Sequence, residues 1–214
     1  MCWNETISLN TFLFSSFVLI LIMYNNYFTK YKIHELHNKW IYLFIASFVF
    51  MQLLEFFIWR NIDHPFYNNV FSILATLLLL IQPMISIMIV TNIKLRNLLL
   101  SAYLLLVIPF SIYKFSTRYI HSVKSESGHL RWKFFETTPF IWGIWLFFFL
   151  FSFIYKKNWG GLVFGLVTLV IAFINYKQDH TMWSMWCWIV NAMLIYYAIY
   201  LLVYLPFAEK NDIC

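Results

Sequence analysis

Charged residues are scarce in this sequence: Asp, Glu, Lys and Arg make up only 11% of its 214 residues. A soluble domain carries about 25% charged residues, so this composition argues against a water-soluble globular protein. Hydrophobic residues take their place at 62% of the chain, which has a mean hydropathy of +0.72. The sequence therefore has the composition of a protein embedded in a lipid bilayer.

Several functional motifs are absent as well. Glycine occurs only five times, and neither a glycine-rich nucleotide-binding motif nor Gly-x-Ser-x-Gly is present. Every lysine lies in a loop or at a predicted helix end, which argues against a retinal-binding pump. The Asp-Arg-Tyr and Asn-Pro-x-x-Tyr motifs of G-protein-coupled receptors are missing. The six histidines lie in loops, whereas an intramembrane zinc hydrolase needs several inside its helices.

Seven continuous apolar stretches fill the chain instead. A bilayer core about 30 Å thick takes roughly 20 apolar residues in a helix, so each stretch is predicted to be a transmembrane helix. The absence of apolar–polar alternation excludes a transmembrane barrel. The fourth and fifth stretches are short, which leaves a tilted or merged helix as the alternative there. The predicted spans are Ser8–Phe28, Ile41–Trp59, Val70–Asn92, Leu98–Tyr113, Phe140–Tyr155, Gly160–Tyr176 and Met182–Leu205.

The fold class is therefore all-α: a seven-helix, multi-pass integral membrane protein in which residues 1–214 form one domain. Its expected partner is the lipid bilayer, and no nucleic acid is expected, because the basic residues cluster in loops near lipid headgroups. The short loops on one side hold seven basic residues and those on the other side two. Positive loops favour the cytoplasmic side, which predicts the N-terminus outside and the C-terminus inside.

The segment Lys114–Thr138 is the one sizeable loop between the predicted helices. Within it, His129–Phe134 alternates polar and apolar residues, as a strand does. Lys124–Gly128 is rich in turn-forming residues, and Tyr119–Val123 is suited to be the partner strand. We predict a small β-hairpin or lid between helices 4 and 5, lying over the outer mouth of the bundle.

Glu55 is the sole acidic residue well inside a predicted helix. A charge at mid-bilayer costs on the order of 3 kcal/mol or more, so its side chain is expected to face the bundle interior. Gln52, Glu55 and Trp59 share one helix face by their spacing. Trp183 and Asn191 share a face of the seventh helix, on which Cys187 also lies.

We expect these faces to converge on an outward-opening polar and aromatic cavity. Eight of the ten tryptophans fall in the outer half of the predicted topology, which an aromatic belt at both interfaces does not explain. Interhelical hydrogen bonding, worth about 0.6 kcal/mol per contact, is the alternative role for the polar groups. The predicted ligand-binding residues are Glu55, Gln52, Gln82, Asn191, Trp59, Trp142, Trp183 and Trp186.

The N-terminus carries a second prediction. Cys2 and Trp3 precede the first span by about five residues, so they stay near the outer mouth. Cys187 lies roughly 7 Å into the seventh helix from the same side. A segment that dips inward would bring Cys2 to Cys187, either as a disulfide or as an N-terminal plug with Trp3. The alternative is a frayed terminus with Cys187 as a small core residue.

Three short motifs together resemble a known family: the opening Met-Cys-Trp-Asn-Glu, Ile81-Gln82-Pro83 and Met185-Trp186-Cys187. The family is an uncharacterised group of small seven-helix membrane proteins that begin Met-Cys-Trp. Its second helix typically carries Met-Glu-x-x-Gln, and this chain has the two polar groups exchanged in 51–55. Its third helix usually has His where this chain has Leu78. The resemblance implies the seven-helix fold and a shared outer site, and it implies no activity.

The leading functional hypothesis is that the cavity binds or transports a small molecule or ion. Glu55 would supply charge, the amides would hydrogen-bond, and the tryptophans would wall the site, an arrangement that suits a cation. A membrane-embedded enzyme with Glu55 as acid/base is one alternative. A structural protein of an envelope or organelle membrane is another. The sequence assigns no catalytic residue and no metal ligand, and it leaves the cofactor unknown.

Overall fold

The computed structural model of the protein describes residues 4–33, 36 and 38–207. Seven helices dominate these residues, and six of them are long and apolar enough to cross a membrane. The fifth, at 17 residues, is shorter. The predicted all-α class is confirmed. The helices are α1 (Glu5–Phe28), α2 (Lys39–Arg60), α3 (Pro65–Met88), α4 (Ile93–Thr117), α5 (Pro139–Tyr155), α6 (Trp159–Tyr176) and α7 (Met182–Phe207).

Two helices, α3 and α4, differ from their predicted bounds by four or five residues at each end, for local reasons. α3 begins at Pro65, which is suited to the first helical turn because it has no N–H to leave unpaired. Asn92, predicted as the end of this helix, instead caps α4 by accepting a hydrogen bond from the Leu95 backbone N–H. α4 is consequently 25 residues long and is not a short span, and it includes Lys114.

α7 is continuous but irregular. Its first segment, Met182–Val190, ends at Asn191, and α-helical geometry resumes over Ala192–Ile199. A π-helical turn follows at Tyr200–Tyr204. Such wide turns often occur at functional positions in helices. The irregularity at Asn191 coincides with one of the predicted site residues.

α2 is the central helix of the bundle. It packs against α1, α3 and α7, and its apolar window is 56% buried, compared with 11% for α6. α3 packs in turn against α5 and α4. The largest cluster of buried apolar residues joins α2, α3, α5 and α7 and is rich in aromatic rings. Polar side chains on the inner faces of α2 and α7 are therefore held deep within the protein.

The predicted hairpin is present between α4 and α5. Strand β1 (Ser122–Lys124) pairs antiparallel with β2 (Leu130–Trp132), and Gly128 takes a positive φ of 84° in the connecting turn. The Asn68 amide donates to the Ser122 carbonyl at 2.9 Å, and its oxygen accepts from the Ser122 N–H at 2.9 Å. Ser184 donates to the Leu130 carbonyl at 2.6 Å. The strands thus lie against the first turns of α3 and α7, at what we call the hairpin end of the bundle.

We expect Asn68→Leu to loosen the hairpin. The change removes the two bonds to Ser122, a third to the Ile62 carbonyl and a fourth from the Ser72 hydroxyl, so the local free energy of opening falls by roughly 2–3 kcal/mol. Trypsin cleavage after the exposed Lys124, followed in detergent micelles, measures this opening. Asn175→Leu is the control, because the Asn175 amide is exposed and bonds only within α6. Equal cleavage rates for the two variants would contradict the anchoring role of Asn68.

Candidate functional site

Glu55 and Gln52 form the centre of the candidate site. Both side chains are completely buried. A rise of about 1.5 Å per residue places Glu55 roughly 8 Å and Gln52 roughly 12 Å from the hairpin end of α2. The spacing of three residues puts them on one face of the central helix, as predicted.

Cys187 and Asn191 approach the same level from α7. The Cys187 thiol is buried and free. The Asn191 amide donates to the Cys187 backbone carbonyl at 2.8 Å. Counted from the first residue of α7, Cys187 lies roughly 8 Å and Asn191 roughly 14 Å deep. A carboxylate, a thiol and two amides are thus held at similar depth by two adjacent helices.

Several polar atoms of this set have no hydrogen-bond partner among the described residues. They are both amide atoms of Gln52, the amide oxygen of Asn191, and the indole N–H groups of Trp59 and Trp183. Burying such a group without a partner costs about 1–3 kcal/mol by mutational data and more in a fully apolar medium. These atoms are therefore available to a ligand, an ion or water.

An aromatic cluster adjoins the polar set at the hairpin end. Trp183 lies at its centre, with ring centroids 5.2 Å from Trp142, 6.1 Å from Trp145 and 5.9 Å from Trp186. The indole N–H of Trp186 donates to Thr168 at 3.1 Å and that of Trp142 to the Phe135 carbonyl at 3.3 Å. Trp142 and Trp186 therefore have structural partners, whereas the N–H of Trp183 has none among the residues that the structure describes.

Gln82 lies at a different level. Its amide is fully buried and also has no partner among the described residues. It is roughly 26 Å along α3 from the hairpin end, about 14 Å deeper than Gln52, because α2 and α3 are antiparallel and joined by a short loop. Leu79 and Ser86, on the same face, bond to Trp145 and Phe149 of α5. The structure thus does not bring Gln82 to Glu55.

A cleft of about 190 Å³ lies elsewhere, between α3, α4 and α5. Of the predicted site residues, Trp142 alone contributes to its lining. The charged side chain that lines it is Lys114, which the sequence prediction placed in a loop because the fourth span was taken to end at Tyr113. Phe115 is the single apolar residue among the four that α4 contains after Tyr113, so the sequence carries little signal that the helix extends further.

The predicted N-terminal plug involves residues outside the described part of the chain. Cys2 and Trp3 are not described, so their approach to Cys187 stays a prediction. Within the described residues, no group of three or more His, Cys, Asp or Glu side chains is placed to hold a metal ion.

Comparison with known proteins gave no matching protein family, no matching curated protein and no matching solved structure. The resemblance to the Met-Cys-Trp family accordingly stays a prediction.

We expect Gln52→Met to leave the thermal stability of washed, ligand-free protein unchanged or to raise it. The variant keeps the volume of the side chain and removes two unpaired polar atoms, each costly when buried. Asn26→Leu is the matched control, because the Asn26 amide bonds Tyr42 at 2.8 Å and the Ile33 N–H at 2.6 Å. It should lower stability by roughly 1–3 kcal/mol.

Thermal unfolding in detergent micelles compares the two variants. If Gln52→Met destabilised the protein as much as Asn26→Leu, the Gln52 amide would be a structural group bonded within the protein.

Proposed function

We propose that this chain is a multi-pass membrane protein that binds a small molecule or ion through the buried groups of α2 and α7. The hairpin end would face the outside, since the short loops at the opposite end carry seven basic residues and the short loops at the hairpin end carry two. The ligand would enter near the hairpin and the tryptophan cluster. Glu55 would supply charge, Gln52 and Asn191 would hydrogen-bond, and Trp59 and Trp183 would offer their N–H groups.

One observation carries this proposal: the Gln52 amide is completely buried, next to Glu55 on the helix face, with neither of its polar atoms bonded in the described chain. A dry structural bundle would use such an amide to join helices, as Asn26 and Asn68 do. An amide kept without a partner in the central helix is instead suited to a ligand that supplies one.

The chemistry of the groups favours a ligand with a cationic centre and hydrogen-bonding groups beside it. Glu55 would attract the positive charge, and the neighbouring indole rings offer electron-rich faces to a cation. The amide oxygens of Gln52 and Asn191 accept hydrogen bonds from an ammonium, and the indole N–H groups donate to a hydroxyl or carbonyl.

Transport is a second candidate function, and Gln82 favours it. Its unpaired amide lies about 14 Å deeper than Gln52, so it would continue a polar path toward the other side of the membrane. A path that reaches the inner face would make the protein a transporter or channel. A pocket that ends at Asn191 would make it a receptor or an enzyme.

Binding is tested by titrating purified protein with tetraethylammonium, choline and KCl while following tryptophan fluorescence. We expect a saturable change with one of the organic cations in the wild-type protein. Glu55→Gln should weaken the affinity for that cation by at least about tenfold, because the side chain loses its charge and keeps its shape. Glu126→Gln, an exposed change in the hairpin turn, is the charge-matched control. A response that is the same in Glu55→Gln would contradict the role of Glu55.

The orientation is tested by labelling single cysteines in intact cells with an impermeant maleimide, in a background without Cys2, Cys187 and Cys214. We expect Asp63→Cys, in the exposed α2–α3 loop, to react from outside, and Lys94→Cys to react only after permeabilisation. The opposite pattern would place the hairpin end inside and overturn the outward-facing site.

A further inference from the structure

The cleft between α3, α4 and α5 has apolar walls and one buried cation. Leu106, Val107 and Phe110 of α4 face Ile141 and Ile144 of α5 across it. It exists because α4 packs on α3 and leaves a gap toward α5. Leu106 is 49% exposed, so the cleft opens on the outer surface of the bundle, where lipid lies.

Lys114 is the buried cation, with only 7% of its surface exposed. Its ammonium donates to the backbone carbonyl of Glu136 at 3.3 Å and lies 5.7 Å from the Phe110 ring. The Glu136 carboxylate is bonded by Arg131 and lies 3.9 Å from the Lys133 ammonium. In the described chain, no carboxylate is within ion-pair distance of Lys114, and Arg118 adds positive charge one turn further along.

The cation and the apolar wall are arranged in line. Lys114, Phe110, Val107 and Tyr103 follow one face of α4 at helical spacing, over roughly 16 Å. Lys114 is in the last turn of the helix, at the hairpin end, where lipid headgroups would lie in the proposed topology. Tyr103 is fully buried at the other end, and its hydroxyl donates to the Leu80 carbonyl at 2.7 Å. The cleft thus runs from a positive charge at the interface toward an apolar end within the membrane.

We propose that this cleft binds one acyl chain of an anionic phospholipid whose phosphate pairs with Lys114. The phosphate would supply the anion that the buried ammonium lacks, in a charge-assisted hydrogen bond. The acyl chain would fill the apolar gap beside α4. This lipid site is separate from the Glu55 site and does not depend on the ligand proposed there.

Native mass spectrometry tests the site on full-length protein purified from bicelles that contain equal phosphatidylglycerol and phosphatidylcholine. Wild-type protein should retain phosphatidylglycerol in preference to phosphatidylcholine. Lys114→Met keeps the length of the side chain and removes its charge, so the preference should fall about tenfold. Lys94→Met, which removes an exposed charge from the other end of α4, should leave it unchanged.

Val107→Trp provides a second test, because it keeps Lys114 and fills the cleft. It should lower the retention of phosphatidylglycerol as strongly as Lys114→Met does. If Lys114→Met does not fold, the result for Val107→Trp decides whether the lipid site exists. Unchanged preference in either folded variant would overturn the site.

A further arm of the experiment adds oleate to the bicelles. Retention of oleate in place of phosphatidylglycerol would assign the cleft to a free fatty acid and overturn the phospholipid assignment.

Discussion

Inside a bilayer, a polar side chain has no water to bond, so it must find a partner in the protein or in a bound molecule. Most buried polar groups of this bundle meet that demand within the chain. Asn26 joins α1 to α2, Asn68 holds the hairpin, and Ser86 bonds the Phe149 carbonyl of α5 at 2.7 Å. The Gln52 amide has no such partner in the described chain, although it lies fully buried in the central helix. Gln52 thus differs from these three groups, whose hydrogen bonds help to build the fold.

The requirement that a buried polar or charged group has a partner accounts for the two proposed sites and for their different chemistry. The site at Glu55 is deep and carries an acid. It also carries the Gln52 amide and the Asn191 amide oxygen, which have no partner in the described chain. It is bordered by indole rings, which suits a small cationic ligand. The cleft at Lys114 has mostly apolar walls and carries one base. In the proposed topology it would open toward lipid with this base at the level of the headgroups, which suits an anionic lipid. In these proposals, the small ligand would reach its site through the hairpin end, and the lipid would reach the cleft from the side of the bundle.

Much of the fold could be predicted from the sequence, because long apolar runs leave the backbone no alternative to helices. The hairpin was also predictable from the alternation in His129–Phe134, and the burial of Glu55 from the cost of exposing it to lipid. The position of Gln82 was not, because it depends on where α3 begins, and Pro65 sets that start. Lys114 was missed because its helix continues past the predicted end. The cleft beside Lys114 results from the way α4 packs on α3, and no local sequence pattern encodes that packing.

The central claim is that a bound molecule completes the buried polar set of α2 and α7. An experimental structure of the protein in lipid nanodiscs, at a resolution that resolves ordered water and small ligands, tests it most directly. The account predicts non-protein density within about 3 Å of the Gln52 amide and continuous with the space beside Glu55. Continuous packing of protein side chains around Gln52, with both of its amide atoms bonded to protein groups, would contradict it.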